Sequence, residues 1–112
     1  MARNEATQRL DLGEIIASAG VVLLDFSASW CGPCRAQEPI VEQLAAVYSG
    51  QATVLTVDID EHRDSAISLG IQSVPTLILF ANGREKQRFI GKQSKAVLQK
   101  ALEALLAEQE ND

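Results

Sequence analysis

The chain has 112 residues, 46% of them hydrophobic and 22% charged, which is ordinary globular composition and enough for one domain with its own core. Fifteen acidic residues against ten basic ones leave a net charge of −5, and that balance argues against nucleic acid as a partner. No apolar run is long enough to span a membrane.

The start, Met1-Ala2-Arg3-Asn4-Glu5, is polar with no apolar stretch behind it, so no secretory signal is expected. Residues 7–10 suggest a short edge strand. Leu12, Ile15, Ile16 and Ala19 recur at helical spacing, with Gly20 as the stop. Val21 to Phe26 is an apolar run of the kind found in a central strand covered on both faces. After a short turn, residues 35–48 predict a helix with Ile40, Val41, Leu44, Val47 and Tyr48 on one face. Pro39 falls inside it and should kink it. Residues 52–59 are rich in strand formers and predict a second central strand.

Asp60 is placed to cap a short helix over 61–69, ended by Gly70. Thr76 to Phe80 predicts a strand, and Asn82-Gly83 marks a type I′ hairpin to a partner strand over 84–90. Gly91 suggests a bulge or a close backbone approach. Ser94 caps a last helix with Leu98, Leu102, Leu105 and Leu106 facing the core. The acidic end, 107–112, is expected to fray. Strands alternating with helices, then a hairpin, then a helix, imply an α/β domain over 1–112: a three-layer α/β/α sandwich with a mixed central sheet.

Both cysteines lie in Trp30-Cys31-Gly32-Pro33-Cys34, between the first strand and its helix. Cys-x-x-Cys in that setting reads as a redox motif. A sulfur at a helix N-terminus meets backbone N–H groups without intrahelical partners at the positive end of the dipole, so the thiolate is favoured. The thiolate is the attacking species in disulfide exchange, and a second thiol one turn on can resolve the mixed disulfide. Pro33 suits the first turn, where a missing N–H costs little. The pair is also half of a zinc site, but zinc wants about four ligands, and His62 is the one other soft ligand in the chain. No metal is therefore assigned. His62 reads as a solvated residue.

Asp25 is an acid within the apolar run. Either it ends the strand and points to water, or it is buried and carries a proton for Cys34, a task that suits a carboxyl whose ionised form burial disfavours. Pro75 begins a strand, where proline is sterically acceptable.

Trp30-Cys31-Gly32-Pro33-Cys34, Asp25-Phe26, Pro39, Asp58-Ile59-Asp60, Val74-Pro75-Thr76, Gly83 and Gly91 together resemble the thioredoxin family over about Ile15 to Leu106. Gly-Pro between the cysteines points to thioredoxins rather than to glutaredoxins or protein disulfide isomerases. The resemblance implies the thioredoxin fold and reduction of protein disulfides by Cys31 and Cys34, with Asp25 handling the proton. It implies a cis Val74–Pro75 bond beside the sulfurs, and a Val74 backbone open to an extended client. Trp30, Gly32, Pro33 and Gly91 would complete the contact surface, although Trp30 reads equally well as packing over the helix start. No bound cofactor is implied beyond the redox-active Cys31–Cys34 disulfide. Electrons would come from a flavin-containing thioredoxin reductase, in a cytoplasmic monomer, since two cysteines without a leader suit a reducing compartment.

Three residues depart from the family pattern. Ser27 stands where an aromatic is usual, Thr56 where many members carry a buried lysine, and Lys92 where a small residue is usual. Ser27 and Lys92 motivate a rival reading as a reductant with one dedicated partner. A further rival is a docking platform whose redox chemistry is dispensable.

Overall fold

The computed structural model describes residues 11–110. The strand suggested at residues 7–10 lies outside them. Helix α1 spans Leu12–Ala17, and Asp11 caps it by accepting the Glu14 N–H at 3.1 Å. Strand β1 follows at Val21–Ser27, helix α2 at Gly32–Val47 and strand β2 at Ala52–Asp58. A short helix α3 (Arg63–Ser68) precedes the hairpin β3 (Thr76–Ala81) and β4 (Arg84–Ile90), and helix α4 (Lys95–Glu110) closes the chain.

The strands lie in the order β2-β1-β3-β4. β1 runs parallel to β2 and antiparallel to β3, and β3 is antiparallel to β4. This is the mixed sheet expected. β1 is central and buried along its whole length. Among the described residues β2 lies at one side of the sheet, and only Val54 and Val57 along it are buried.

Alternation along β1 divides the core in two. Val21 and Leu23 face Val41, Leu44 and Tyr48 of the α2 segment and Leu98, Leu102 and Leu105 of α4. Val22, Leu24 and Phe26 face the other way, toward Leu12, Ile15 and Ile16 of α1. Helices on both faces make the three layers.

Several details differ from the sequence reading, beginning with α2, which holds Pro39 inside its span. Its buried stripe is Cys34, Gln37, Val41, Leu44 and then Tyr48, steps of three and four residues, while Val47 is 52% exposed. α3 begins at Arg63 with His62 as its cap residue, not at Glu61 under Asp60. The Glu61 and His62 N–H groups turn back onto the Asp58 carbonyl instead. The irregular register of the hairpin falls between Leu79 and Phe80, so the bulge is not at Gly91. α4 continues past Ala107 to Glu110, where Gln109 accepts the Asn82 side-chain N–H at 2.7 Å and ties the helix end to the hairpin turn. Asn82 and Gly83 both have positive φ, 51° and 83°, as a type I′ turn requires.

Tyr48 crosses from the end of α2 to α4. Its hydroxyl donates to Glu103 Oε2 at 2.6 Å while the ring is 2% exposed. Burial first, and then the Glu103 carboxylate, holds the phenol above its usual range.

Candidate active site

The site is built where β1 hands over to α2. Ser27 ends the strand and α2 starts at Gly32. The Cys31 N–H donates to the Ala28 carbonyl at 3.2 Å, which closes the turn. Cys31 is thereby the N-cap of α2, with extended backbone (φ −104°, ψ 116°), and its Sγ accepts the Cys34 N–H at 3.2 Å. A sulfur here takes the role that a serine or aspartate oxygen takes in an ordinary cap. Negative charge developing on Cys31 is met by that N–H and by the start of a 16-residue helix.

Cys31 and Cys34 are joined as a disulfide, with Cα atoms 5.3 Å apart. Both are buried. Cys31 keeps 6% of its surface and Cys34 none. Ala28, Ile59 and Val74 enclose them. Gly32 and Pro33 between them are exposed.

Asp25 is fully buried, so it does not end its strand toward water. It sits on the face of β1 that α2 covers, two residues beyond Leu23, toward the end of β1 from which α2 departs. Its cross-strand partners are Thr56 on β2 and Leu77 on β3, neither of them cationic.

Val74–Pro75 is cis. The Val74 carbonyl oxygen lies 3.7 Å from Cys31 Sγ, which puts this loop directly against the motif. Thr76 Oγ1 donates to the Ser73 carbonyl at 2.7 Å and braces it from below. Gly91 has φ 97° and donates its N–H to the Pro75 carbonyl at 2.8 Å. A Cβ at this position would meet nothing within 4 Å, so it is the positive φ, not a close approach, that favours glycine here. Trp30 is 66% exposed, with its indole N–H donating to Asp60 Oδ2 at 3.3 Å. It therefore stands on the surface rather than in the core. Motif, cis-proline loop and Gly91 loop converge on one rim.

Two features were not read from the sequence. A groove of about 310 Å³ is lined by Trp30, Ile59, Ile71, Gln72, Ser73 and Val74, of which Ile59 and Val74 also pack against the cysteines. Its isoleucines come from the two turns that flank α3, which carry no motif. The other is Gln37, one turn into α2 from Cys34 and fully buried. Its place in the three-and-four stripe of α2 was the available signal, hidden by its polarity. Among the described residues, no group of three or more histidine, cysteine, aspartate or glutamate side chains is placed to hold a metal ion. Nor is any helix among them long and apolar enough to cross a membrane.

A family model described as Thioredoxin matches residues 6–104. A thioredoxin from Staphylococcus aureus is 42% identical over 85 residues, which cover 76% of this chain and 82% of that one. Among solved structures, a point-mutant thioredoxin from Halobacterium salinarum NRC-1 is similar with a TM-score of 0.77 at 39% identity, covering 85% of this chain and 82% of the other. The oxidised form of mitochondrial thioredoxin 3 from Saccharomyces cerevisiae is similar with a TM-score of 0.75 at 28% identity, covering 84% and 87%.

Proposed function

Because the chain belongs to the thioredoxin family, we propose that it is a protein-disulfide reductase in which Cys31 attacks and Cys34 resolves. The observation that carries this is the disulfide-linked pair at the start of α2, with Cys31 Sγ accepting the Cys34 N–H.

In the reduced protein the Cys31 thiolate attacks one sulfur of a client disulfide. A Cys31–client bond forms and the other client sulfur leaves as thiolate. Cys34 then gives up its proton, attacks Cys31 Sγ and expels the second client sulfur. The Cys31–Cys34 disulfide is restored, and two electrons have passed to the client. Asp25 is the acceptor of the Cys34 proton. Its burial on the α2 side of β1 supports this role. No further cofactor takes part. A reductase must return the electrons, and by family likeness it is a flavin-containing thioredoxin reductase.

Clients bind as extended segments along the rim. The Val74 backbone pairs with the segment in strand fashion, while Gly32, Pro33, Gly91 and the exposed Trp30 form the flanking surface. Lys92, also exposed, adds positive charge to that face. The protein works as a cytoplasmic monomer.

Turnover of a protein disulfide with excess dithiothreitol as electron source tests the proposal. Wild type should reduce it catalytically, and Cys31→Ser should reduce the rate to that of dithiothreitol alone. A double variant, Cys31→Ser with Cys34→Ser, that fully rescues a deletion in cells would support a docking platform instead.

A further inference from the structure

Four polar or charged side chains are buried among the described residues: Asp25, Ser27, Gln37 and Thr76. Gln37 stands apart from the other three. It occupies the stripe of α2 that otherwise holds Cys34, Val41 and Leu44, where a leucine would pack as well. Instead its amide grips both main-chain groups of Gln93. Nε2 donates to the Gln93 carbonyl at 3.0 Å, and Oε1 accepts the Gln93 N–H at 2.7 Å. One side chain holding the donor and the acceptor of a single residue fixes both distance and orientation. Buried amides persist where their groups are matched in this way.

The segment so held leads from β4 into α4 and carries Gly91 and Lys92. Gln93 Nε2 in turn donates to the Gly91 carbonyl at 3.2 Å, and the Gly91 N–H reaches the Pro75 carbonyl at 2.8 Å. The chain of contacts runs from the helix bearing Cys34, through Gln37, Gln93 and Gly91, to the cis-proline loop against Cys31. It joins three separate stretches of sequence into one rim. We infer that Gln37 is a positioning residue for protein clients: it pins the Gly91–Lys92 segment against α2, so that this side of the client groove is formed before a client arrives.

The inference rests on the reductase reading above. A rim held in place costs a client less ordering on binding. Without Gln37 the segment loses both hydrogen bonds to α2 and the client must order it. A small disulfide that reaches only the sulfurs does not use that rim. The discriminating quantity is therefore a ratio: kcat/KM for a folded protein disulfide over the second-order rate constant for 5,5′-dithiobis(2-nitrobenzoate).

For Gln37→Leu, which keeps the bulk and removes both hydrogen bonds, the ratio should fall about tenfold, carried by KM rather than kcat. Gln93→Ala deletes only the hold on the Gly91 carbonyl and should lower the ratio about threefold. Gln93→Ala lies in a partly exposed segment and serves as the deciding variant if Gln37→Leu does not fold. Ratios within twofold of wild type overturn the inference, as does a loss carried by kcat with both substrates. A wild-type protein that reduces neither substrate sinks the reductase reading and this inference with it. An active wild type with unchanged ratios in the variants overturns the inference alone.

Discussion

Replacing Asp25 by asparagine separates its two expected effects, one on stability and one on rate. The side chain is fully buried, and its neighbours across β1 are Thr56 and Leu77. Burial disfavours the ionised carboxyl. Asp25 should therefore titrate above the ordinary aspartate value of about 3.9. In the unfolded chain the proton leaves first as pH rises. Native stability then falls from the unfolded value up to the folded one and stays lower above it. Each unit of upward shift costs the native state about 1.4 kcal/mol at pH 7.

The wild-type-to-Asn stability difference should therefore move against wild type between pH 3 and pH 7. Packing costs of the substitution appear at both pH values and cancel. Denaturant unfolding of both proteins at the two pH values measures this. The same variant should slow resolution of the mixed disulfide by about 10²–10⁴-fold, the usual range for a lost general base, and rapid quenching should show the Cys31 adduct accumulating. A stability difference equal at both pH values, or wild-type resolution in Asp25→Asn, would refute the proton-carrier role.

Iodoacetamide should label Cys31 before Cys34 in the reduced protein at neutral pH, because Cys31 retains exposure and caps α2; peptide mapping that finds Cys34 labelled first would reverse the roles. Tyr48→Phe should lose about 1.5–3 kcal/mol in denaturant unfolding at pH 7, the worth of a hydrogen bond to the charged Glu103. The Tyr48 phenol is held above its usual range, so the unfolded phenol ionises first. The stability advantage of wild type over Tyr48→Phe should accordingly shrink as pH rises past about 10, and an advantage that grows there would contradict the stated cause.

How far the chain could be read from its residues depended on whether the signal was local. Asn82-Gly83 fixed a turn because both positions need positive φ. Ser94 was legible as a cap, and its Oγ accepts the Val97 N–H at 3.2 Å. Trp30-Cys31-Gly32-Pro33-Cys34 was legible because spacing and strand–helix context carry the chemistry together. Val47 was assigned to the core by periodicity, yet the stripe of α2 runs from Cys34 through Gln37 to Val41. The start of α3 was misread because Asp60 bonds sideways to the Trp30 indole, a contact between residues 30 positions apart. Gln37 illustrates the same limit: a buried glutamine is justified only by Gln93, which no local pattern pairs with it.

The central claim is that Cys31 attacks and Cys34 resolves, and trapping with Cys34→Ser tests it most directly. Mixing the reduced variant with a protein disulfide should give a stable one-to-one covalent adduct, released by dithiothreitol and joined through Cys31 by mass spectrometry. Cys31→Ser should give none. An adduct on Cys34 in Cys31→Ser, or none on Cys31 in Cys34→Ser, would contradict the account.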